Sequence, residues 1–146
     1  MKAIIQVVST ASVVSRESNQ NRTIGSGLCV LVGIHRDDNP GKAIQLALKI
    51  SSLRILPGDT GPWDLSVKEV GGSILLVSNF TLCGDLRGGR RPSWKDAAAP
   101  EDARVLYDQI VTEFAKLEVP VVEGFFGEEM IVSVANTGPT TLVLEI

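Results

Sequence analysis

Two uninterrupted apolar runs constrain what this chain can fold into more than any other feature. Residues 27–34 read GLCVLVGI, and residues 74–77 read ILLV directly after Gly-Gly-Ser. A short continuous apolar run bounded by glycine or polar residues is typical of a strand that is buried on both of its faces. The sequence therefore predicts a buried strand at each of these two places.

Two other segments carry the signals of helices. Asn39 followed by Pro40 is a favourable N-cap with a first-turn proline, and it predicts a helix over about 40–52. A second helix is predicted over 99–119, where Pro100 is followed by two acidic residues that favour the helix dipole. Its apolar positions recur at spacings of four, four and three: Leu106, Ile110, Phe114 and Leu117.

The remaining segments predict short strands and loops. The expected strands are 3–9, 12–18, 53–56, 71–82, 130–135 and 142–146, with a turn at 19–22 and loops at 57–63 and 83–94. The order is strands, helix, strands, helix, strands, which indicates a mixed α/β fold. A chain of 146 residues is long enough for one domain with a real core.

Composition excludes several classes of function. The net charge is −3, so any contact with nucleic acid must be local. Two cysteines do not make a disulfide framework, and with a single histidine the ligands of a structural zinc site are lacking. A Ser-His-Asp triad would depend on His35 alone, which we expect in a solvated loop.

The N-terminus faintly imitates a signal peptide, but Gln6 and Ser9 interrupt its apolar run. We therefore expect a plain first strand there. No run approaches the roughly 18 apolar residues of a membrane span. A protein without a membrane anchor and in a cytosolic location is expected.

Small polar residues follow the apolar run at 74–77. They are Ser78, Asn79 and Thr81, with Phe80 between them. A rigid strand end with a hydroxyl, an amide and backbone N–H groups is suited to hold a carbonyl oxygen and the negative charge that it gains during acyl transfer. The alternative is an ordinary strand end with a β-branched threonine and a turn-forming asparagine.

The loop after this strand is basic in an otherwise acidic chain. Its cations surround Trp94 and comprise Arg87, Arg90, Arg91 and Lys95. Guanidinium groups suit phosphates, which favours a nucleic-acid contact. The alternative is a solvated loop with internal ion pairs to Asp85 or Asp96.

The segment NTGPTT, residues 136–141, separates the last two predicted strands. A Gly-Pro pair there is either an ordinary hairpin turn or a piece of backbone that is held out to touch a ligand, since glycine lets a backbone approach closely.

Taken together, these motifs resemble the D-aminoacyl-tRNA deacylase (D-tyrosyl-tRNA deacylase) family from end to end. The most specific stretch runs from Val70 to Trp94, and the family's Ser-Gln-Phe-Thr and Asn-x-Gly-Pro-x-Thr motifs fall on 78–81 and 136–141. The resemblance implies one domain over 1–146, with curved, mostly antiparallel or mixed β-sheet layers and two main helices packed on one side.

The resemblance also implies the activity. Such proteins hydrolyse the ester between a D-amino acid and the 3′-terminal adenosine of tRNA, and they also remove misattached glycine. They are homodimers that need no metal or other cofactor. In the family the Gly-Pro bond is cis, and this dipeptide projects into the partner subunit's site. Its backbone excludes L side chains there, a selectivity that glycine escapes.

The resemblance assigns residues to these roles. Catalysis falls on Ser78, Asn79, Phe80 and Thr81, where Thr81 is either a nucleophile or a positioning hydroxyl. Attack by water, helped by the ribose 2′-hydroxyl, fits the lack of a histidine triad. The residues expected to bind substrate are Gly138, Pro139, Asn136, Thr141, Arg87, Arg90 and Arg91.

Two positions depart from the family's pattern. Asn79 stands where the family usually has glutamine, and Val7 stands where it usually has an arginine that helps to brace the Gly-Pro segment. Both departures put the strictness of chiral selection in doubt. Two alternatives follow: a catalytically weakened module that binds the tRNA 3′ end, and a small-ester hydrolase unrelated to tRNA, which would leave the arginines without a purpose.

Overall fold

The computed structural model describes the whole chain, Met1–Ile146. Its two α-helices are α1 (Pro40–Ser52) and α2 (Pro100–Lys116). Its strands are β1 (Lys2–Ser15), β2 (Asn21–Ile24), β3 (Gly27–Gly33), β4 (Leu56–Gly58), β5 (Gly61–Leu65), β6 (Ser73–Ser78), β7 (Val121–Glu123) and β8 (Met130–Glu145). A short 3₁₀ turn, Phe80–Cys83, follows β6.

Strand β1 is the centre of a six-stranded mixed sheet. One of its edges pairs antiparallel with β3 and, further along, with β2, and its other edge pairs antiparallel with β8. Beyond β3, the strands β6 and β7 continue the sheet in parallel. Strands β4 and β5 form a separate hairpin. The predicted mixed α/β fold with two main helices is therefore confirmed.

The apolar residues form two clusters, one on each face of this sheet. The larger cluster joins the sheet to both helices and includes Val30, Leu76, Leu46 and Phe114. The smaller cluster on the opposite face contains Cys29, Leu75 and Phe125, with the first half of β8 packed against it. Neighbouring residues of β3 and β6 thus enter different clusters. This explains why their sequences are apolar without alternation.

The helices begin where their start signals place them. The side chain of Asn39 accepts a hydrogen bond from the backbone N–H of Lys42, 3.1 Å away, and Pro40 opens α1. Helix α2 opens at Pro100 with Glu101 and Asp102 in its first turn. It ends three residues earlier than expected, at Lys116.

The first predicted strands are in fact one. Residues 3–9 and 12–18 were expected as separate strands, but β1 runs without a break from Lys2 to Ser15, and 21–24 is β2 rather than part of a turn. Ser9 is absorbed by a shift of register against β8. Because β1 is hydrogen-bonded on both edges, its exposed polar residues do not end it.

Three other boundaries differ from the prediction. Part of the expected loop at 57–63 pairs as the β4–β5 hairpin, through Leu56 with Leu65 and Gly58 with Gly61. The expected strand at 71–82 ends at Ser78. The two expected terminal strands form one long strand, β8, which carries the Gly-Pro segment as an interruption of its pairing with β1.

Candidate active site

The first part of the candidate site is the end of β6. Ser78 is the last residue of the strand and lies opposite Val32 of β3. The backbone N–H of Asn79 donates to the carbonyl oxygen of Val32 at 2.7 Å, and the chain then turns into the 3₁₀ turn. Ser78 and Asn79 are half-buried, while Phe80 and Thr81 are exposed. A rigid sheet thus presents these groups to the surface.

Two glycines let this turn pack closely. A Cβ atom at Gly33 would lie 2.8 Å from Cβ of Leu82, and one at Gly84 would lie 2.5 Å from Cζ3 of Trp94. Trp94 also meets Phe80 edge-to-face, with ring centroids 5.5 Å apart. The turn is therefore held by contacts that larger residues would prevent. Sequence reasoning missed Gly33 and Gly84; the only signal was a glycine near the end of each strand run.

The polar groups of the turn bond to one another. The hydroxyl of Thr81 donates to Oδ1 of Asn79. The side-chain NH₂ of Asn79 makes no hydrogen bond within the chain, so it stays a free donor at the protein surface. Thr81 has an amide as its partner and no histidine or carboxylate. The turn can therefore polarise a carbonyl through N–H donors, but it supplies no general base of its own.

The basic loop is built on a small antiparallel bridge. Asp85 and Ser93 exchange backbone hydrogen bonds of 2.9 and 3.0 Å. The Arg87 guanidinium donates to both carboxylate oxygens of Asp85, at 2.9 and 3.0 Å. These hydrogen bonds, above all, hold the pKa of Asp85 well below its usual range. The predicted alternative of an internal ion pair thus describes Arg87.

The other two arginines of the loop behave differently. Arg90 and Arg91 are exposed and have no ion-pair partner in the chain, next to Gly89 with a φ of +73°. Asp96, the other carboxylate considered, faces Arg36 at 3.4 Å. The loop tip therefore offers two uncompensated cations to an anion.

A cleft of about 560 Å³ lies beside the 3₁₀ turn. Leu82 and Arg87 line one side, and Lys2 and Glu145 lie at the ends of β1 and β8. Its charges are largely compensated within the chain, as in the 3.0 Å pair between Lys2 and Glu145. The cleft therefore has no strong preference for an anion.

The second part of the candidate site is the Gly-Pro segment of β8. The β1 ladder pairs Gln6 with Thr141 and Val8 with Asn136, so residues 137–140 leave the ladder opposite Val7. The peptide bond before Pro139 is cis, as the resemblance implies, and Gly138 has a φ of +107°. Gly138 and Pro139 are both exposed. The sheet thus holds a short piece of backbone out from its surface.

Side chains at the base of this segment fix it to β1. Asn136 Nδ2 lies 2.8 Å from the carbonyl oxygen of Val7 and 2.8 Å from that of Thr140. The hydroxyl of Thr137 also points to the Val7 carbonyl, at 3.4 Å. The side chain of Val7 itself is buried in the larger core cluster, so only its backbone takes part. Sequence reasoning missed Thr137, for which the threonine-rich motif was the available signal.

One chain does not bring the two parts together. The Gly-Pro segment lies opposite Val7, which pairs with Leu28 at the start of β3, whereas Ser78 pairs with Val32 near its end. That offset is about 13 Å along the strands, and β8 and β6 are separated by a further three strand spacings, about 14 Å. Measured along the sheet, the two parts therefore lie about 19 Å apart.

The fold offers no group of three histidine, cysteine, aspartate or glutamate side chains that could hold a metal ion. Neither α1 nor α2 has the length and hydrophobicity that a membrane-spanning helix needs.

The matches to known proteins extend over nearly the whole chain. A family model described as D-Tyr-tRNA(Tyr) deacylase matches residues 4–145. A D-aminoacyl-tRNA deacylase of Syntrophobacter fumaroxidans is 47% identical over 145 residues, which cover 99% of this chain and 97% of that protein. A D-aminoacyl-tRNA deacylase of Streptomyces griseus is 41% identical and is covered completely, as is this chain.

Solved structures share the fold. A protein described as c-Myc DNA Unwinding Element Binding Protein superposes with a TM-score of 0.91 at 34% identity, covering 100% of this chain and 99% of the other. A probable eukaryotic D-amino acid tRNA deacylase superposes with a TM-score of 0.84 at 16% identity, over 99% and 98% of the two chains, which shows the fold alone.

These matches define a hydrolase that acts on the ester bond of charged tRNA. The chain belongs to the D-aminoacyl-tRNA deacylase family, and its reaction is the hydrolysis of D-aminoacyl-tRNA.

Proposed function

We propose that this deacylase works as a homodimer in which the Gly138-Pro139 segment of each subunit completes the active site of its partner. The observation that carries the proposal is the separation of the two parts within one chain. The segment leaves the sheet opposite Val7, about 19 Å along the sheet from Ser78. A second copy, related by a two-fold axis, can bring the segment of one subunit to the strand end of the other.

The unpaired edge of β8 and its exposed apolar side chains support this assembly. It is an edge strand of 16 residues, and one of its edges has no partner in the chain. Ile131 and Val143 on this strand are 54% and 64% exposed. Long exposed edges with apolar side chains are usually covered in natural proteins.

In the completed site, N–H donors of the 3₁₀ turn hold the ester carbonyl. They are the backbone amides near Phe80 and Thr81 and the free side-chain NH₂ of Asn79. As water attacks the carbonyl carbon, negative charge develops on this oxygen, and the donors stabilise it. The C–O bond to the ribose then breaks, and the leaving ribose oxygen takes a proton. The ribose 2′-hydroxyl assists the proton transfers, since Thr81 has no base beside it.

Selectivity comes from exclusion by the partner's segment. Gly138 and Pro139 place bare backbone against the α-carbon of the aminoacyl group. An L side chain points into that backbone, and a D side chain points away from it. Glycine has no side chain to exclude, so misattached Gly-tRNA is also a substrate. The loop tip at Arg90 and Arg91 contacts phosphates near the 3′ end of the tRNA.

The protein acts where aminoacyl-tRNA is made and used, in the cytoplasm, as part of translation quality control. The direct test is deacylation of D-Tyr-tRNA, L-Tyr-tRNA and Gly-tRNA by the purified dimer. We expect the D and glycyl esters to be cleaved and the L ester to survive. Cleavage of all three contradicts the exclusion. Intact tRNA binding without cleavage of any favours the weakened binding module that the Asn79 and Val7 departures suggest.

A further inference from the structure

We propose that Asn136 is a positioning residue for chiral selection, one that acts on the Gly-Pro segment and not on the substrate. The inference rests on the proposed exclusion by this segment and names the group that controls it. Asn136 was expected from the sequence to bind substrate, but its side chain is hydrogen-bonded within its own chain.

The segment lacks the bonds that hold the rest of β8. Residues 137–140 leave the ladder, so the backbone of Val7 faces them without a regular strand partner. A buried carbonyl without a hydrogen bond is costly, and native structures rarely leave one unpaired. The Asn136 side chain supplies this missing bond, with Nδ2 at 2.8 Å from the Val7 oxygen.

The second N–H of the same amide bonds to the other end of the Gly-Pro segment. Asn136 Nδ2 also donates to the carbonyl of Thr140, at 2.8 Å, on the far side of Gly138 and Pro139. One planar group therefore ties the entry of the segment, its exit and the neighbouring strand β1 together. Two bonds from one rigid amide fix an orientation, which a single bond does not.

The oxygen of the amide is held as well. The hydroxyl of Thr141 lies 3.4 Å from Asn136 Oδ1, and Gln6 Nε2 donates to that hydroxyl at 3.3 Å. These contacts direct the oxygen toward Thr141 and leave the nitrogen facing the two carbonyls. Both N–H donors of Asn136 are thus used inside its own chain, and its oxygen already accepts one hydrogen bond there, so the amide has no donor left for a substrate.

This arrangement has a consequence for selectivity. D and L substrates differ only in which side of the α-carbon carries the side chain, so exclusion works only if the segment stays in place. A displacement of about 1 Å in a reacting complex changes rates by roughly 10²-fold. If the bonds of Asn136 are lost, we therefore expect L-aminoacyl-tRNA to be cleaved as well, while the groups at 78–81 still catalyse the hydrolysis.

The test compares Asn136→Asp with the wild-type dimer. Aspartate has the size of asparagine, but its carboxylate has no N–H to donate, so both bonds to carbonyls are lost. Ser133→Ala is the matched control, because Ser133 is an exposed residue of the same strand that makes no side-chain hydrogen bond. The first readout is the ratio of kcat/KM for D-Tyr-tRNA to that for L-Tyr-tRNA. The second is hydrogen–deuterium exchange of the peptide over 136–142.

We expect Asn136→Asp to lower the D-to-L ratio by roughly 10²-fold, to speed exchange over 136–142, and to leave exchange in β3 and β6 unchanged. Ser133→Ala should match the wild type in both readouts. Should Asn136→Asp disturb the whole fold, Thr141→Val serves instead, since it keeps both N–H bonds of the amide and removes the hydroxyl that contacts the amide oxygen and Gln6; a smaller fall in the ratio is then expected.

Three results would overturn the inference. One is an unchanged ratio in a folded Asn136→Asp dimer, and another is unchanged exchange over 136–142. The third is loss of all cleavage with the exchange pattern intact, since Asn136 would then act on the substrate directly. A wild-type enzyme that cleaves D and L esters equally refutes the proposed function instead, and the exchange experiment then still decides whether Asn136 holds the segment.

Discussion

The hydroxyl of Thr81 donates to the side-chain oxygen of Asn79, two residues earlier at the start of the 3₁₀ turn. This contact gives each group one defined task. The hydroxyl proton is engaged, and the NH₂ of Asn79 faces outward as a free donor. From this contact we expect the Thr81 hydroxyl to orient the amide.

Removing this hydroxyl should therefore slow the chemistry. We expect Thr81→Val to lower kcat for D-Tyr-tRNA by roughly 10²-fold, comparable to the loss of one oxyanion-stabilising donor. Thr81→Ser keeps the hydroxyl and should stay close to the wild type. Single-turnover deacylation measures both variants. A Thr81→Val enzyme that is as fast as the wild type would show that the contact has no catalytic role.

The structure assigns stability, rather than catalysis, to the chain's single tyrosine. The hydroxyl of Tyr107 donates to the carbonyl of Leu76 at 2.8 Å, and the backbone N–H of Gly124 also donates to this carbonyl, at 2.7 Å. Because Tyr107→Phe leaves the carbonyl with one partner, we expect it to lower the free energy of unfolding by only about 1 kcal/mol. Denaturant titration measures this loss, with deacylation as a control that should not change.

Tyr107 should also affect how the free energy of unfolding falls at alkaline pH. Burial, chiefly, and the charge of Glu123 raise the pKa of Tyr107 above its ordinary value. The folded state therefore keeps the proton while the unfolded state loses it near pH 10. Stability from this group is complete below about pH 10 and falls as the pH rises further. Unfolding of Tyr107→Phe should show a shallower alkaline decline, and an identical decline would contradict the assignment.

The arginines of the basic loop should differ in how strongly they affect the salt dependence of tRNA binding. Each phosphate contact on a single strand contributes about −0.7 to the slope of log affinity against log salt. The double variant Arg90→Ala/Arg91→Ala should flatten that slope by up to about 1.4, which is two contacts at 0.7 each. Arg87→Ala should change it less, because Arg87 is already paired with Asp85. Equal effects of all three would contradict the distinction.

The core of the fold was predictable because its signal is local. Cys29 and Val30, or Leu75 and Leu76, face opposite clusters, and a strand buried on both faces must be apolar throughout. The helix starts at Asn39 and Pro100 are equally local signals. These features need no knowledge of distant residues.

The long strands were not predictable in this way. Strand β8 continues past Gly138 because β1 pairs with it on both sides of the interruption, and the bond from Asn136 to Val7 joins residues that are 129 positions apart. Likewise, the strand at 71–82 ends early because Gly33, on another strand, makes room for Leu82 of the 3₁₀ turn. The sequence pattern of a single segment does not reveal contacts with residues that are distant along the chain.

The two motifs of the candidate site, at 78–81 and 136–141, were singled out in the sequence by their resemblance to the family, and their roles stay predictions. Their separation within one chain emerges only from the register of β1, β3 and β6. That separation is the observation from which we propose that a second subunit completes the site.

The most direct test of the shared site mixes two inactive variants. Gly138→Ala adds a methyl group to the backbone that lies against the substrate's α-carbon, and this Cβ would lie 2.6 Å from Thr140 Oγ1 at a backbone conformation that favours glycine. We expect the displaced segment to block the partner's site, so that this variant no longer cleaves D-Tyr-tRNA. An Asn79→Ala/Thr81→Val variant loses the strand-end groups instead. If each site combines one strand end with the partner's segment, half of the randomly mixed dimers carry one intact site.

The measurement is D-Tyr-tRNA deacylation after subunit exchange between these two variants, with mixed dimers verified by mass. Recovery to about a quarter of wild-type activity is the predicted result, since half of the dimers are mixed and each has one intact site of two. Mixed dimers that form but stay inactive would contradict the exchange of the Gly138-Pro139 segment between subunits.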